Sequence, residues 1–139
     1  MNDRAVDILK AYWLHMKGEN KFPSLDDIST SELENIWPSC FITEVKNGKF
    51  TYTYFGDSMT DAYAENYEGQ QVIEDLLYPE TPELSHKMIE AMNIDEPMVF
   101  DGAFINKENE DIKFRKVLLP LGENNKITHL LGAMIWQKF

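Results

Sequence analysis

Three tyrosines and one arginine are the side chains best suited to ligand chemistry. Tyr52 and Tyr54 alternate along a β-rich run, and Tyr63 arrives from the helical stretch that follows, so three phenol groups can be aimed at one enclosed ligand. In the register that closes the last hairpin with Gly122 opposite Ile127, Arg115 shares a row with Val117, Met134 and Trp136. A guanidinium there can hold a carboxylate or stack on the indole. Tyr52, Tyr54, Tyr63, Arg115, Met134 and Trp136 are therefore the ligand-binding candidates. The plainer alternative is that the aromatics fill a core and the arginine snorkels at a sheet margin.

No catalytic set or metal site emerges beside them. The acids Asp26-Asp27, Glu74-Asp75 and Glu108 to Asp111 fall in turns and helix ends, where they solvate the chain. A paired-carboxylate mechanism needs two acids converging in a pocket, which spacing does not supply. Cys40, the single cysteine, begins a strand beside Phe41 and Ile42 and reads as a buried, inert thiol. It has no disulfide partner, and with three scattered histidines it cannot build a closed zinc site. His129, placed opposite Pro120, reads as structural or exposed.

Charge and length narrow the function classes. Lys plus Arg number 13 against 24 Asp plus Glu, a net charge of −11, the wrong sign for nucleic acid or an anionic membrane surface. With 139 residues and 43% hydrophobic positions the chain can bury one core. A single domain is expected, with residues 1–38 as a helical cap and 39–139 as the main body. Its longest apolar stretch, Ile127 to Trp136, is too short to span a bilayer. The N-terminus lacks the apolar run of a signal peptide, and the expected location is the cytoplasm.

The elements that would position these residues follow from periodicity. Ala5, Ile8, Leu9, Tyr12, Trp13 and Met16 recur at spacings of three and four, one amphipathic helix stopped by Gly18. Ser29 followed by Glu32 has the form of a capping box for a short helix through Leu33 and Ile36, ended by Trp37-Pro38. Asn47-Gly48 between two β-rich runs predicts a type I′ hairpin. With Lys46 facing Lys49, the pairs Val45–Phe50, Thr43–Tyr52 and Phe41–Tyr54 share an inward aromatic face. Three helical pieces follow, around Ser58 to Glu65, Val72 to Leu77 and Pro82 to Met92. Then come three strand-like runs: Met98 to Asn106, Ile112 to Leu121 and Ile127 to Gln137.

The expected fold class is α+β, with five mostly hairpin-linked strands in an antiparallel sheet and the central helices on one face. The last hairpin is expected to show Val117, Leu119, Leu130, Met134 and Trp136 on one side and Phe114, Leu118, Leu131 and Ile135 on the other. A sheet apolar on both faces needs a second cover, and either the N-terminal helix or a partner subunit can supply it. Ile8, Leu9, Tyr12, Trp13 and Met16 are the interface candidates, for a homodimer or a signalling-protein partner.

This order of elements resembles a PAS domain, and its details resemble a bacterial PAS-like family of small sensory or regulatory modules. The matching residues are Tyr12-Trp13, Phe22-Pro23-Ser24 to Asp27-Ile28, and Leu33 through Trp37-Pro38. They continue with Phe41, the strand Phe50 to Gly56, Tyr63, Gly69, Leu118-Leu119-Pro120-Leu121 and Leu130-Leu131-Gly132-Ala133. The resemblance implies a PAS-like sheet, a central pocket for a small molecule, and an N-terminal helix used in dimerisation or signalling. With no output domain after Phe139, such a module would act in trans. Two PAS cofactors are disfavoured. Haem would need an inward histidine, whereas His86 falls about 150° from the apolar centre of its helix. Flavin photochemistry would need a reactive cysteine in an Asn-Cys-Arg type helix, which the chain lacks.

Three functions compete at this point. One is a non-enzymatic sensory module that binds a small ligand or a regulator in signal transduction. Another is a small cone-shaped pocket enzyme of the ketosteroid-isomerase kind, whose helices mostly precede its sheet. The third is a protein-interaction adaptor with a filled core and no ligand.

Overall fold

A computed structural model describes residues 4–72, 81–94 and 96–139 of the chain. Its elements are α1 (Ala5–Lys17), β1 (Cys40–Lys46), β2 (Lys49–Phe55), α2 (Asp57–Tyr63), α3 (Thr81–Met92), β3 (Met98–Ile105), β4 (Asp111–Glu123) and β5 (Lys126–Lys138). The strands form one antiparallel sheet in the order β2-β1-β5-β4-β3. Both tight hairpins use residues that tolerate positive φ: Asn47 and Gly48 at φ 53° and 74°, and Asn124 and Asn125 at 54° and 62°. Residues 30–36 form successive turns rather than the short helix that Ser29 and Glu32 suggest. The capping box is instead made by Ser24 and Asp27, around a single 3-10 turn. Of the helical piece expected over Val72 to Leu77, all but Val72 lies outside the described residues.

The sheet is covered on both faces, and α1 is the second cover. One core, between the sheet and α2 and α3, contains Phe41, Tyr52, Phe55, Tyr63, Leu84, Met88, Phe114, Leu118 and Met134. The other lies between the opposite face and α1, with Leu9, Trp13, Leu33, Ile36, Val117, Leu119, Leu131 and Ala133. Trp13 is wholly buried, and its Nε1 donates to the Pro120 carbonyl at 2.8 Å. A proline is tolerated in β4 there because β3 begins at Met98 opposite Leu118, so among the described residues β4 pairs only with β5 at Pro120. The free carbonyl then serves as an anchor for α1.

Two β-bulges break the simple alternation. In the first hairpin Thr43 pairs with Tyr52 but Ile42 pairs with Tyr54, leaving Thr53 as an extra residue. In the last, Gly122 pairs with Ile127 as expected but Leu121 pairs with His129, leaving Thr128 extra. An extra residue reverses the facing of everything beyond it relative to the neighbouring strand. Phe41 therefore pairs with Phe55 rather than Tyr54. The expected rows of the last hairpin are likewise recombined. Val117 and Leu119 lie with Leu131 and Ile135 on the α1 face, and Phe114 and Leu118 lie with Leu130, Met134 and Trp136 on the other. His129 sits opposite Leu121 and Glu44, not Pro120.

Candidate functional site

The inner face of β4 carries the side chain that the residue pattern concealed. Ile112, Phe114, Lys116 and Leu118 point to the same side, and Lys116 is 0% exposed. Its Nζ donates to Tyr63 Oη at 2.8 Å. The same ammonium lies 4.7 Å from the Phe114 ring centroid, 5.5 Å from that of Tyr63 and 5.9 Å from that of Phe41. The Phe114 and Phe41 rings lie beside the cation and offset part of its lost hydration, while Tyr63 meets it through its hydroxyl.

Each wall of this site is set by packing. Tyr63 ends α2, and its ring stacks on Phe104 of β3 with centroids 4.2 Å apart and planes 7° from parallel. Phe55 bridges to Tyr52 at 5.0 Å and to Tyr63 at 5.6 Å, and Tyr67 meets Phe55 and Tyr63 edge-on. Gly132 of β5 is required where it stands, because a Cβ would lie 2.2 Å from the Phe41 ring. Thr43, also wholly buried, turns to this side of β1, and among the described residues its Oγ1 has no hydrogen-bond partner.

The sequence-derived candidates divide between the two faces. Tyr52, Tyr63 and Met134 are buried in the Lys116 core, and Met134 pairs directly with Lys116. Trp136 is half-buried beside it, its Nε1 donating to Ser58 Oγ at 3.0 Å. Tyr54 lies on the opposite face, stacked on Trp37 at 4.6 Å, with its hydroxyl donating to the Trp37 carbonyl at 2.9 Å. Burial pushes its phenol up to about 12. Arg115 is also on the other face, opposite Ile135 rather than in the Met134 row, and is exposed. Its Nε donates to Asp101 Oδ1 at 2.7 Å and its Nη2 to Oδ2 at 3.2 Å. The bulge at Thr128 accounts for the exchange, bringing Lys116 opposite Met134 in place of Arg115. Strand parity was the available signal: Lys116 lies two residues from both Phe114 and Leu118.

The interface candidates also separate. Leu9 and Trp13 are wholly buried against the chain's own sheet, while Ile8 is 40% exposed and Met16 partly so. Tyr12 Oη accepts a hydrogen bond from the Ser29 amide at 2.9 Å, tying α1 to the segment after it. Cys40 is buried, its thiol pushed up to about 12 by burial and donating to the Ile36 carbonyl at 3.3 Å. His86 is exposed on α3. Among the described residues no helix is long and apolar enough to cross a membrane.

Comparison with known proteins places this architecture. The family model described as PAS domain matches residues 1–135. No curated protein matches significantly. Among solved structures, a light-oxygen-voltage domain from work on a flavin analogue has a TM-score of 0.60 at 12% identity, over 77% of this chain and 82% of that one. A PAS domain of a Colwellia psychrerythraea protein has 0.55 at 16%, over 78% and 95%. The PAS-B domain of Drosophila melanogaster Cycle, with bound ethylene glycol, has 0.51 at 13%, over 71% and 99%. At these identities the likeness speaks for the fold alone. Two strands before the central helices, three after them, and a family match over nearly the whole length lead to one conclusion: the chain belongs to the PAS domain family.

Proposed function

We propose that this PAS domain is a ligand-responsive regulatory module that takes a small molecule beside Lys116 and Tyr63 and relays its presence to a signalling partner. PAS domains are in general non-enzymatic sensory and regulatory modules, which sets the class. The observation that carries the finer reading is the ammonium of Lys116, wholly buried and hydrogen-bonded to Tyr63 within an aromatic enclosure. Withdrawing an ammonium from water costs several kcal/mol, and an apolar side chain of similar volume would fill the same space without that cost. The ammonium and the rings around it suit a ligand that carries a hydrogen-bond acceptor on a flat ring. Tyr52 and Met134 belong to the same core, and the Thr43 hydroxyl, without a hydrogen-bond partner among the described residues, adds a further polar group.

Native mass spectrometry of the full chain, with thermal melts in millimolar benzoate and 4-hydroxybenzoate, tests this reading. The expected result is an added mass, or a melting rise of several degrees, that Lys116→Met abolishes. A bare polypeptide mass with no shift from either probe overturns it. The interlocked rings around Tyr63 favour a second reading, an adaptor with a filled core, and that negative outcome is its signature.

A further inference from the structure

The two edges of the sheet are treated differently. Along β2 the chain seals its own edge: Tyr52 N donates to the Gln70 carbonyl at 3.0 Å, Gly69 N to the Tyr52 carbonyl at 2.7 Å, and Val72 N to the Phe50 carbonyl at 2.9 Å. Among the described residues nothing comparable lies along β3, the other edge. Its residues, MVFDGAFI, contain no proline and no lysine, and pair with β4 without a bulge. An open edge lacking these blocking devices is a template for another strand.

We propose that β3 pairs antiparallel with β3 of a second copy, joining two sheets across a two-fold axis at Gly102. The occupant is argued from the side chains. About Gly102 the strand is nearly palindromic, with Val99 and Phe100 on one side answered by Phe104 and Ile105 on the other. Val99 is 42% exposed and Ile105 50%, and this register sets each opposite the other on the α1 face. Phe100 and Phe104 meet likewise on the inner face. The charges also fit. Asp101 comes opposite Ala103 of the second copy, and its carboxylate is neutralised by Arg115 of its own β4. Two chains of net charge −11 thus meet at a seam without opposed like charges. The remaining long-range repulsion is screened by salt, so self-association should strengthen from 20 to 300 mM NaCl.

Light scattering of the full chain across a hundredfold concentration range reads the outcome. Wild type should approach about 32 kDa, twice the 16.2 kDa chain mass. The variant Val99→Lys with Ile105→Lys opposes like charges at both ends of the seam and should weaken association at least tenfold. The variant Val99→Lys with Ile105→Glu opposes unlike charges in this register alone and should retain the dimer. Both positions are exposed, and circular dichroism confirms the fold of each variant. A monomeric wild type, a doubly lysine-substituted chain that still dimerises, or a Lys/Glu variant no better than it overturns the proposal.

Discussion

Replacing Tyr63 by phenylalanine removes one oxygen from the core and keeps the ring that stacks on Phe104 at 4.2 Å. The 2.8 Å hydrogen bond donated by Lys116 is lost while the aromatic enclosure stays in place. A hydrogen bond to a charged group contributes about 1.5–3 kcal/mol. Unfolding entropy near 2.1 cal/mol/K per residue amounts to about 0.3 kcal/mol/K for this chain, so Tyr63→Phe should lower Tm by about 5–10 °C. Other partners of either side chain contribute to each single substitution. The pair itself is therefore isolated by a double-mutant cycle of Tyr63→Phe and Lys116→Met, followed by urea unfolding. The expected coupling is about 1.5–3 kcal/mol with unchanged m values. A coupling below about 0.5 kcal/mol would mean that the ammonium does not hold the phenol in solution and that the pair does not organise this site.

Three further outcomes follow from the same geometry. Trp13→Phe leaves the Pro120 carbonyl without its buried donor and should cost about 1–3 kcal/mol, whereas Leu14→Ala, at a position 44% exposed, should cost well under 1 kcal/mol. Equal melting temperatures for the two variants would show that α1 does not cover the sheet in solution. The Cys40 thiol, pushed up to about 12, should resist iodoacetamide at pH 8 in the native protein and react fully in urea; rapid native labelling contradicts its burial. Acid stability should reflect Asp101, held below its ordinary 3.8 by the Arg115 hydrogen bond, and Glu110, held below 4.5 by hydrogen bonds from Asn106 and then Lys138. Carboxyl groups lowered on folding stabilise above their unfolded pKa and lose that contribution as pH falls through the folded one. Stability should therefore decline below about pH 4.5, and Glu110→Gln should flatten the decline; an unchanged acid limb would count against the Glu110 contacts.

Much of the architecture is written in local residue patterns. The apolar stripe from Ala5 to Met16 forms α1, ended at Gly18, whose φ is 52°. Asn47-Gly48 makes its turn, and the two strands, central helices and three strands appear in the order that periodicity predicts. These features depend on interactions between near neighbours, so one chain suffices to read them. The role of α1 as the sheet's second cover was one of two open choices, because an amphipathic stripe shows that a face is buried but not what buries it.

The site depended on the assembled sheet. Side-chain alternation within a strand is local, and by it alone Lys116 belongs with Phe114 and Leu118. Which residues meet across strands depends on the ladder closing, and each bulge adds one residue that no periodicity marks. Thr53 turned Tyr54 away to Trp37, and Thr128 exchanged Arg115 for Lys116 beside Met134. The elements and their order were thus determined by the sequence itself. Which cross-strand partners the buried cation meets and which tyrosines reach it were decided only by tertiary pairing, since a one-residue shift reverses the facing of a strand without altering its composition.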